Sequence, residues 1–567
     1  MDILTTPFEK DLTDIPLADY PRPQLVRDSY LCLNGKWDIK IENGKKELFK
    51  GEILVPFPIE SKLSGVGKTF PKEALYTYSR RFSLPAGFKN ERIILNFGAV
   101  DCETQVYING SFVGGNVGGY IPFSFDITDY LNDNDNIIRV EVTDFSDTTF
   151  PYGKQTEKRG GMWYTKVSGI WQTVWLESVP KNHITKIKAA NDENSVTLNV
   201  LGGENEKTVT VFTPQGEKSY DFSGDSIKID IENPVCWTPE NPYIYRFTLK
   251  SGGDTVNSYF AIRTVSTKKV GDKTFIALNG KPYFFNGLLD QGYFSDGIFL
   301  PATYEGYKND ILVAKKLGFN MLRKHIKIEP QIFYYYCDIY GMVVFQDAVN
   351  NGKYSFFYDT ALPTVGLKKL KKKAPNICRE RFEKCAEEML ELLYNHPSVC
   401  YYTIFNEGWG QYEATPVYEK LKSLDNSRVY DTASGWFKGP QSDVVSEHVY
   451  FKPVKLKPSP DKPLILSEFG GYCYKILENS FNKEKTFGYK KCATGEILEQ
   501  DLKRLYREEI LPAVQMGLNA TVLTQLSDVE DETNGLITYD RQIVKLSENS
   551  LAAEFKAIKE EFEKISK

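Results

Sequence analysis

The stretch from Val399 to Gln411 reads VCYYTIFNEGWGQ. Its first seven residues are apolar, aromatic or β-branched, the composition of a strand buried on both faces, as in a parallel sheet. The run stops at Asn406-Glu407 and meets Gly408, Trp409 and Gly410. A second stretch, Pro463 to Gly470 (PLILSEFG), has the same character and carries Glu468 near its end. Two buried strands that each end in a glutamate place two carboxylates at the C-terminal tips of a parallel sheet, where α/β barrels keep their chemistry.

Working outward, strand and helix patterns alternate from about residue 269 to the end. Eight strand candidates appear: Tyr283–Leu289, Asn320–Lys324, Val343–Asp347, Val399–Asn406, Arg428–Thr432, Val444–Tyr450, Pro463–Glu468 and Thr521–Ser527. Helical periodicity falls between several of them, at Tyr304–Leu317, Glu329–Tyr340, Arg379–Tyr394, Glu413–Leu424 and Leu498–Met516, with a last helix at Ser550–Ile565. Eight strands with interleaved helices predict a (β/α)8 TIM barrel over 269–567. The spans after strands five and six are too short for full helices. Residues 25–180 read differently, as short alternating strands with turn signals at Asn34-Gly35, Asn43-Gly44 and Asn109-Gly110. They predict an N-terminal jelly-roll β-sandwich over 1–180. Residues 181–268 repeat the style at smaller scale and fit an immunoglobulin-like β-sandwich.

The bulk numbers agree. A chain of 567 residues is too long for one core. Seventy basic residues against 75 acidic ones give a formal charge of −5, and the basic ones are scattered. That excludes a nucleic-acid footprint; the run Lys368–Lys373 (KKLKKK) reads as a solvated loop. The chain begins MDILTTPFEKDLTDIP, with no apolar signal segment, and no run is long enough to span a membrane. Nine dispersed cysteines without a CxxC pattern predict reduced thiols, not disulfides or zinc, and a cytoplasmic location.

In the predicted barrel the strand tips carry Asp290 and Gln291, Arg323 and His325, Asp347, Asn406 and Glu407, Ser434 to Trp436, His448 and Tyr450, Glu468, and Gln525 to Asp528. This is a polar ring with acids on opposite sides. Cleaving a glycosidic bond needs two carboxyls, one protonated and one ionised, and strands four and seven face each other across the mouth.

Several phrases then fall in order along the chain: GMWYTKVSGIWQTVWLE (161–177), WTPENPYIY (237–245), FAIRTV (260–265), NGKPYFFNG (279–287), MLRKH (321–325), YCDIYGMVVFQD (336–347), FNEGWG (405–410) and LSEFGG (466–471). Together they resemble glycoside hydrolase family 2, the group of β-galactosidases, β-glucuronidases and β-mannosidases, over essentially the whole length. The resemblance implies that Glu407 is the acid/base and Glu468 the nucleophile of a retaining double displacement. It implies that Asn406 binds the sugar 2-hydroxyl, that His325 and His448 bind hydroxyls, and that Tyr450 positions the nucleophile. Trp436 and Trp409 are candidates for stacking on a sugar face. Arg323 is the expected counter-charge of Glu468, while Glu407 should be the less solvated of the pair, at a separation of roughly 5–5.5 Å. Asp347, Gln525 and Asp528 are expected to line the ring. Asp290 and Gln291 stand where many relatives carry a histidine-containing motif, which puts the hydroxyl contacts there in doubt.

The loop Gln525–Arg541 (QLSDVEDETNGLITYDR) lacks the Asn-X-Lys by which glucuronidases read a carboxylate, and it carries the acids Asp528, Glu530, Asp531 and Glu532 close together. A neutral β-hexoside, β-galactoside first, is the expected substrate; a β-uronide is the alternative, with Arg541 as its reader. The segments 351–376 and 471–499 should overhang the site. No cofactor or metal is expected, since four histidines spread over the chain do not form a ligand set. Lys324 should point away from Arg323 and His325, against a Schiff-base barrel. A non-catalytic carbohydrate-binding protein would need the glutamates lost. The resemblance also leaves room for a homo-oligomer.

Overall fold

The computed structural model describes residues 4–364, 366–367, 374–439 and 441–567. The basic run Lys368–Lys373 lies outside them.

The N-terminal part is a jelly-roll sandwich. A six-stranded antiparallel sheet (Gly35–Asn43 and Asn136–Thr143 among its strands) faces a four-stranded one containing Arg92–Phe97 and Val174–Val179. Asn136–Thr143 alternates buried and half-buried residues without a break, the period-2 signature of a strand with one face in the core. Asn109-Gly110 makes the tight turn its sequence predicts, with both residues at positive φ and Ile108 paired to Ser111. Asn34-Gly35 does not. The chain there crosses from one sheet to the other, because Tyr30–Cys32 belongs to the small sheet and Gly35 opens a strand of the large one. Asn34 is fully buried and its side chain does a turn's work in three dimensions. Nδ2 donates to Pro16 O at 2.9 Å and to Thr173 Oγ1 at 3.2 Å, and Oδ1 accepts from Val174 N at 3.0 Å. Gly35 sits at φ +116°, with room for no Cβ because Asp14 O would lie 2.8 Å away.

A three-stranded and a four-stranded antiparallel sheet form the immunoglobulin-like sandwich (Ile184–Phe260). A hairpin, Val265–Val270 with Lys273–Leu278, then leads into the barrel. With Trp237 it packs under the barrel's N-terminal end, where Ile276, Leu278 and Trp237 share a core with Phe285, Met321 and Val522.

The barrel strands are β1 Phe285–Asp290, β2 Met321–Lys324, β3 Val343–Asp347, β4 Val399–Asn406, β5 Val429–Ser434, β6 Val445–Val449, β7 Leu464–Gly470 and β8 Leu518–Thr524. All eight residues of β4 are buried, as a strand between barrel interior and helices must be. Parallel ladders run in the order β5-β4-β3-β2-β1-β8-β7-β6. The seam between β5 and β6 is held by isolated bonds: Asp443 N to Tyr430 O (3.0 Å), Tyr430 N to Asp443 Oδ2 (3.0 Å) and Thr432 N to Ser442 Oγ (3.2 Å). Among the described residues no helix follows β5 or β6 before the next strand.

β8 lies earlier than its sequence suggests. Asn519 belongs inside the strand because its side chain accepts from Ile276 N and donates to Tyr283 O, stitching barrel to hairpin. Beyond Thr524 the ladder is broken: Gln525 N bonds to Asn534 O, and Leu526 N returns to Leu289 O of β1. The helix expected at Leu498–Met516 is interrupted. Helical turns Gly495–Leu505 and Leu511–Gln515 flank a π turn, Tyr506–Ile510. Pro512 has no N–H to give, and the ladder widens just before it.

The jelly roll's last connection, between Thr143 and Val174, lies against the barrel's upper face. Trp171 meets Phe299 edge-on at 5.0 Å, Tyr164 meets Tyr293 at 4.9 Å, and Tyr152 N donates to Asn350 O at 3.1 Å. All nine cysteines are unpaired.

Asn34→Ala removes partners from buried carbonyl, hydroxyl and amide groups at once. Denaturant titration of the jelly-roll transition is expected to show a loss of about 1–3 kcal/mol; an unchanged midpoint contradicts the assignment.

Candidate active site

Arg323, on β2, is 1% exposed and all five of its N–H groups are aimed at acceptors. Nε donates to Asp347 Oδ1 (2.9 Å), one terminal nitrogen to Glu468 Oε1 (3.0 Å) and Ser467 O (2.9 Å), the other to Asn406 Oδ1 (2.9 Å) and Ser434 Oγ (3.2 Å). One guanidinium thus joins β2, β3, β4, β5 and β7. A buried cation is costly unless matched, and here Asp347 and Glu468 match it.

Glu468 Oε2 accepts the Tyr450 hydroxyl, and His448 Nδ1 stands 3.5 Å from the same oxygen. Burial alone would raise its pKa. The charges of His448 and Arg323 outweigh burial and hold the carboxyl well below the usual glutamate range. Asp347 is lowered too: burial opposes it, but Arg323 and the His325 hydrogen bond prevail. His325 Nδ1 lies 2.8 Å from Asp347 Oδ2, and burial lowers the imidazole below its ordinary value. A neutral ring that donates from Nδ1 to a carboxylate leaves Nε2 free to accept from a hydroxyl.

Glu407 follows β4. His448 Nδ1 lies 2.8 Å from its Oε1, and one oxygen each of Glu407 and Glu468 with a nitrogen of His448 fall within 4.8 Å of one another. His448 is raised despite burial, because Glu468 and Glu407 both face it; its Nε2 is buried without a partner among the described residues. Contrary to expectation, Glu407 is the more solvated of the two acids, its side chain 14% exposed against 6% for Glu468. Charge compensation separates the pair: Glu468 has Arg323, His448 and Tyr450, and Glu407 has His448.

The backbone makes this possible. Glu407 has φ +52°, a left-handed conformation that costs a non-glycine residue of order 1–3 kcal/mol. It is held by Glu407 N to Ser434 O (3.1 Å) and Trp409 N to Asn406 O (3.0 Å). Gly408 and Gly410 are also at positive φ, and a Cβ on them would lie 2.2 Å from the Phe437 ring and 2.3 Å from Asn351 O.

Beside Glu407, His448 and Tyr450 opens a cavity of ≈ 1150 Å³ that Trp436 also lines. Trp436 Nε1 donates to Asp359 O at 3.0 Å and its ring meets His448 edge-on at 5.7 Å. Other expected members lie elsewhere. Trp409 is packed edge-on between Trp163 (5.0 Å) and Tyr152 (5.4 Å), with Nε1 donating to Gly352 O, so it braces the loops and presents no face to a sugar. Asp290 points outside the barrel, into a buried cluster with Lys324 (2.6 Å), which also binds Glu329 (2.9 Å). Strand alternation sends both that way; Lys324 avoids the site as expected, but is buried beneath the helices. Asp528 is bound to Lys545 at 2.6 Å and to Gly535 N. Gln291 donates to Gln525 Oε1 (2.9 Å), Gln525 to Asn534 Oδ1 (2.8 Å), and Asn534 to Glu532, which also accepts from Tyr164. Arg541 is paired with Asp310 at 3.1 Å under full burial.

Sequence reasoning missed the contributions from far away. Met162 and Trp163 of the jelly roll, Tyr354 of the β3 insertion, and Phe487 and Tyr489 of the β7 insertion all line the cavity. Lys154 lies beside Trp163 and is not among the residues that line the cavity. Its ammonium sits 5.5 Å from the Trp163 ring centroid, close enough to bear on the charges of His325 and Glu532, and makes no ion pair among the described residues. The two insertions were expected to overhang the site, though not with which residues; for the jelly-roll residues the sequence signal was the motif GMWYTKVSGIWQ, which does not say where its connection goes.

Arg323→Gln would leave Asp347 and Glu468 buried without their cation, a loss of about 3–5 kcal/mol near pH 7. Both carboxyls are depressed in the wild type, so their stabilisation is present above the unfolded pKa and lost as pH falls. In the variant they titrate higher, and the deficit should narrow below about pH 5. Denaturant titrations at both pH values check this; a pH-independent deficit contradicts it.

Comparison with known proteins agrees with this architecture. Residues 32–180 match the model for "Glycosyl hydrolases family 2, sugar binding domain", 167–263 that for "Glycosyl hydrolases family 2", and 269–545 that for the "TIM barrel domain" of the same family. A β-galactosidase of Priestia megaterium is 25% identical over 431 residues, 69% of this chain and 40% of the relative. The chain spans under half the length of the first curated relatives it matches. Among solved structures, a β-D-glucuronidase from Dictyoglomus thermophilum superposes with TM-score 0.73 at 19% identity, over 95% of this chain and 98% of the other. A β-galacturonidase from Eisenbergiella tayi, bound to galacturonate, gives 0.66 at 18%, over 96% and 99%. By its three matched segments and its fold, the chain belongs to glycoside hydrolase family 2.

Proposed function

We propose that this chain is a retaining, exo-acting β-glycoside hydrolase, with Glu468 as nucleophile and Glu407 as acid/base. The observation that carries the reading is the convergence of the two carboxylates within 4.8 Å, one of them charge-compensated. That spacing suits direct attack at the anomeric carbon; an inverting pair needs roughly 6.5–9.5 Å to admit water between acid and sugar. Glu468 attacks while Glu407 protonates the leaving oxygen, giving a glycosyl ester and a free alcohol. Glu407 then takes a proton from water, whose oxygen displaces Glu468. Arg323, His448 and Tyr450 stabilise the carboxylate before attack and after release. Asn406, fixed by Arg323, is the candidate partner of the 2-hydroxyl, and His325 Nε2 and Trp436 complete the sugar pocket.

For the sugar, a neutral β-hexoside such as a β-galactoside is the first reading. Arg541 is occupied by Asp310 and not available to a carboxylate, the β8 loop is acidic, and the curated relative from Priestia is called a β-galactosidase. Lys154 favours a second reading, a β-uronide, because an ammonium without an ion-pair partner among the described residues stands on the His325 and Glu532 side of the site. The names of the two solved structures point the same way.

A panel of nitrophenyl β-galactoside, β-glucoside, β-mannoside, β-glucuronide, β-galacturonide and α-arabinoside decides between them. Lys154→Ala should cost a uronide at least about tenfold in kcat/KM and a neutral hexoside far less. Glu407→Gln should lower turnover on the order of 10²–10⁴-fold, and Glu468→Gln by at least as much. Azide should partly restore turnover in Glu468→Gly, yielding the α-glycosyl azide. NMR should detect the β-anomer first; an initial α-anomer rules out retention, and near-normal turnover in either glutamine variant rules out that residue's role.

A further inference from the structure

Glu407 is the group that meets the leaving oxygen, so whatever the sugar is attached to must extend from it into the ≈ 1150 Å³ cavity. The walls of that space are rings. Trp163 and Tyr354 pack at 4.9 Å, Phe451 and Tyr489 at 4.9 Å, and Tyr489 stacks on Tyr450 at 4.0 Å, which ties the wall directly to the Glu468 partner. The rings come from four separate segments: the jelly-roll connection, the β3 insertion, the β6 loop and the β7 insertion. Phe356 and Phe451 stand on two of these and remain 65% and 73% exposed. Large apolar rings converging on one space from independent loops mark a binding surface for something apolar.

Several polar groups of the same wall are already engaged, and Lys452 and His448 are the charged or ionisable ones that also line it. Thr360 is bonded to the Tyr354 hydroxyl at 2.7 Å, Trp436 Nε1 to Asp359 O, and Glu447 to Lys438. A second sugar would bring several hydroxyls, each needing a fixed partner to offset its lost hydration. A flat aromatic group needs ring faces and edges, which this wall supplies.

We infer that the cavity is an aglycone subsite for planar, apolar groups, so that the natural substrates are β-glycosides of phenols or fused-ring aromatic alcohols, not oligosaccharides. This rests on the hydrolytic reading of Glu407 and Glu468.

The test compares, for the glycone identified by the panel, the glycosyl fluoride, the phenyl and 2-naphthyl glycosides and a disaccharide, in wild type and in Phe356→Ala/Phe451→Ala. The wild type should prefer naphthyl over phenyl, two leaving groups of similar acidity, and both over the disaccharide. In the double variant the ratio of naphthyl to fluoride kcat/KM should fall about tenfold, and tyrosine at both positions should restore it. Calorimetric titration with 2-naphthol, which needs no turnover, should show binding weakened by a similar factor. A higher kcat/KM for the disaccharide, or an unchanged ratio and unchanged naphthol affinity in the double variant, overturns the assignment. So does a dimer that Phe356→Ala dissolves while naphthol affinity stays intact, since the rings then serve a second copy of the chain. Failure to hydrolyse any glycosyl fluoride would instead sink the hydrolytic reading, with naphthol affinity still reporting on the subsite.

Discussion

The site is organised around one buried guanidinium. Arg323 spends no donor on water, and its acceptors come from β3, β4, β5 and β7. A planar fork of five donors can hold that many strands in register at one height; an ammonium would offer three donors with no fixed plane. The desolvation of Arg323 requires negative partners, and Glu468 is one of them. The demand for charge balance and the demand for an ionised carboxylate are therefore met by the same contact. His448 stands between the two glutamates, which raise its pKa, so the pair is coupled through one imidazole at the point where bond exchange would occur.

The two glutamates differ in backbone as well as in charge. Glu468 lies within β7 and is not at positive φ, though the ladder to β8 shifts register between Leu466 and Phe469. Glu407 lies one residue past β4 in a left-handed conformation, between a buried strand and two glycines that nothing larger could replace. The chain turns sharply there and lifts the carboxylate toward the cavity. Strain at such a position persists only where the surroundings over-determine it, and Ser434 O, Phe437 and Asn351 supply that constraint.

The pocket is a product of several domains. The barrel supplies the charges and the jelly roll supplies Met162 and Trp163 through a connection that packs on Phe299 and Tyr293. Long insertions after β3 and β7 carry Tyr354 and Tyr489. Catalytic-type groups thus sit on rigid strands, and groups that would meet the variable part of a substrate sit on loops.

Strand-helix alternation and uniformly apolar strands made the barrel legible, because a strand buried on both faces must look that way wherever it occurs. The tip positions of Arg323, His325, Asn406, Glu407, His448 and Glu468 followed from the same count. Other features depended on direction and distance. Asp290 and Gln291 sit one residue apart at a strand tip, yet pleating and loop geometry send one into an ion cluster and the other toward Gln525. Trp409 reads as a stacking indole but is enclosed by three aromatic neighbours from remote segments. The sequence alone determined the domain types and pointed to which acids would meet; it could not determine solvation, since exposure of Glu407 and Glu468 depends on partners that other strands bring in, Arg323 lying 145 positions from Glu468. Only the tertiary structure decided which rings wall the cavity, because hydrophobic burial is non-directional and any of the chain's many aromatics could have been core.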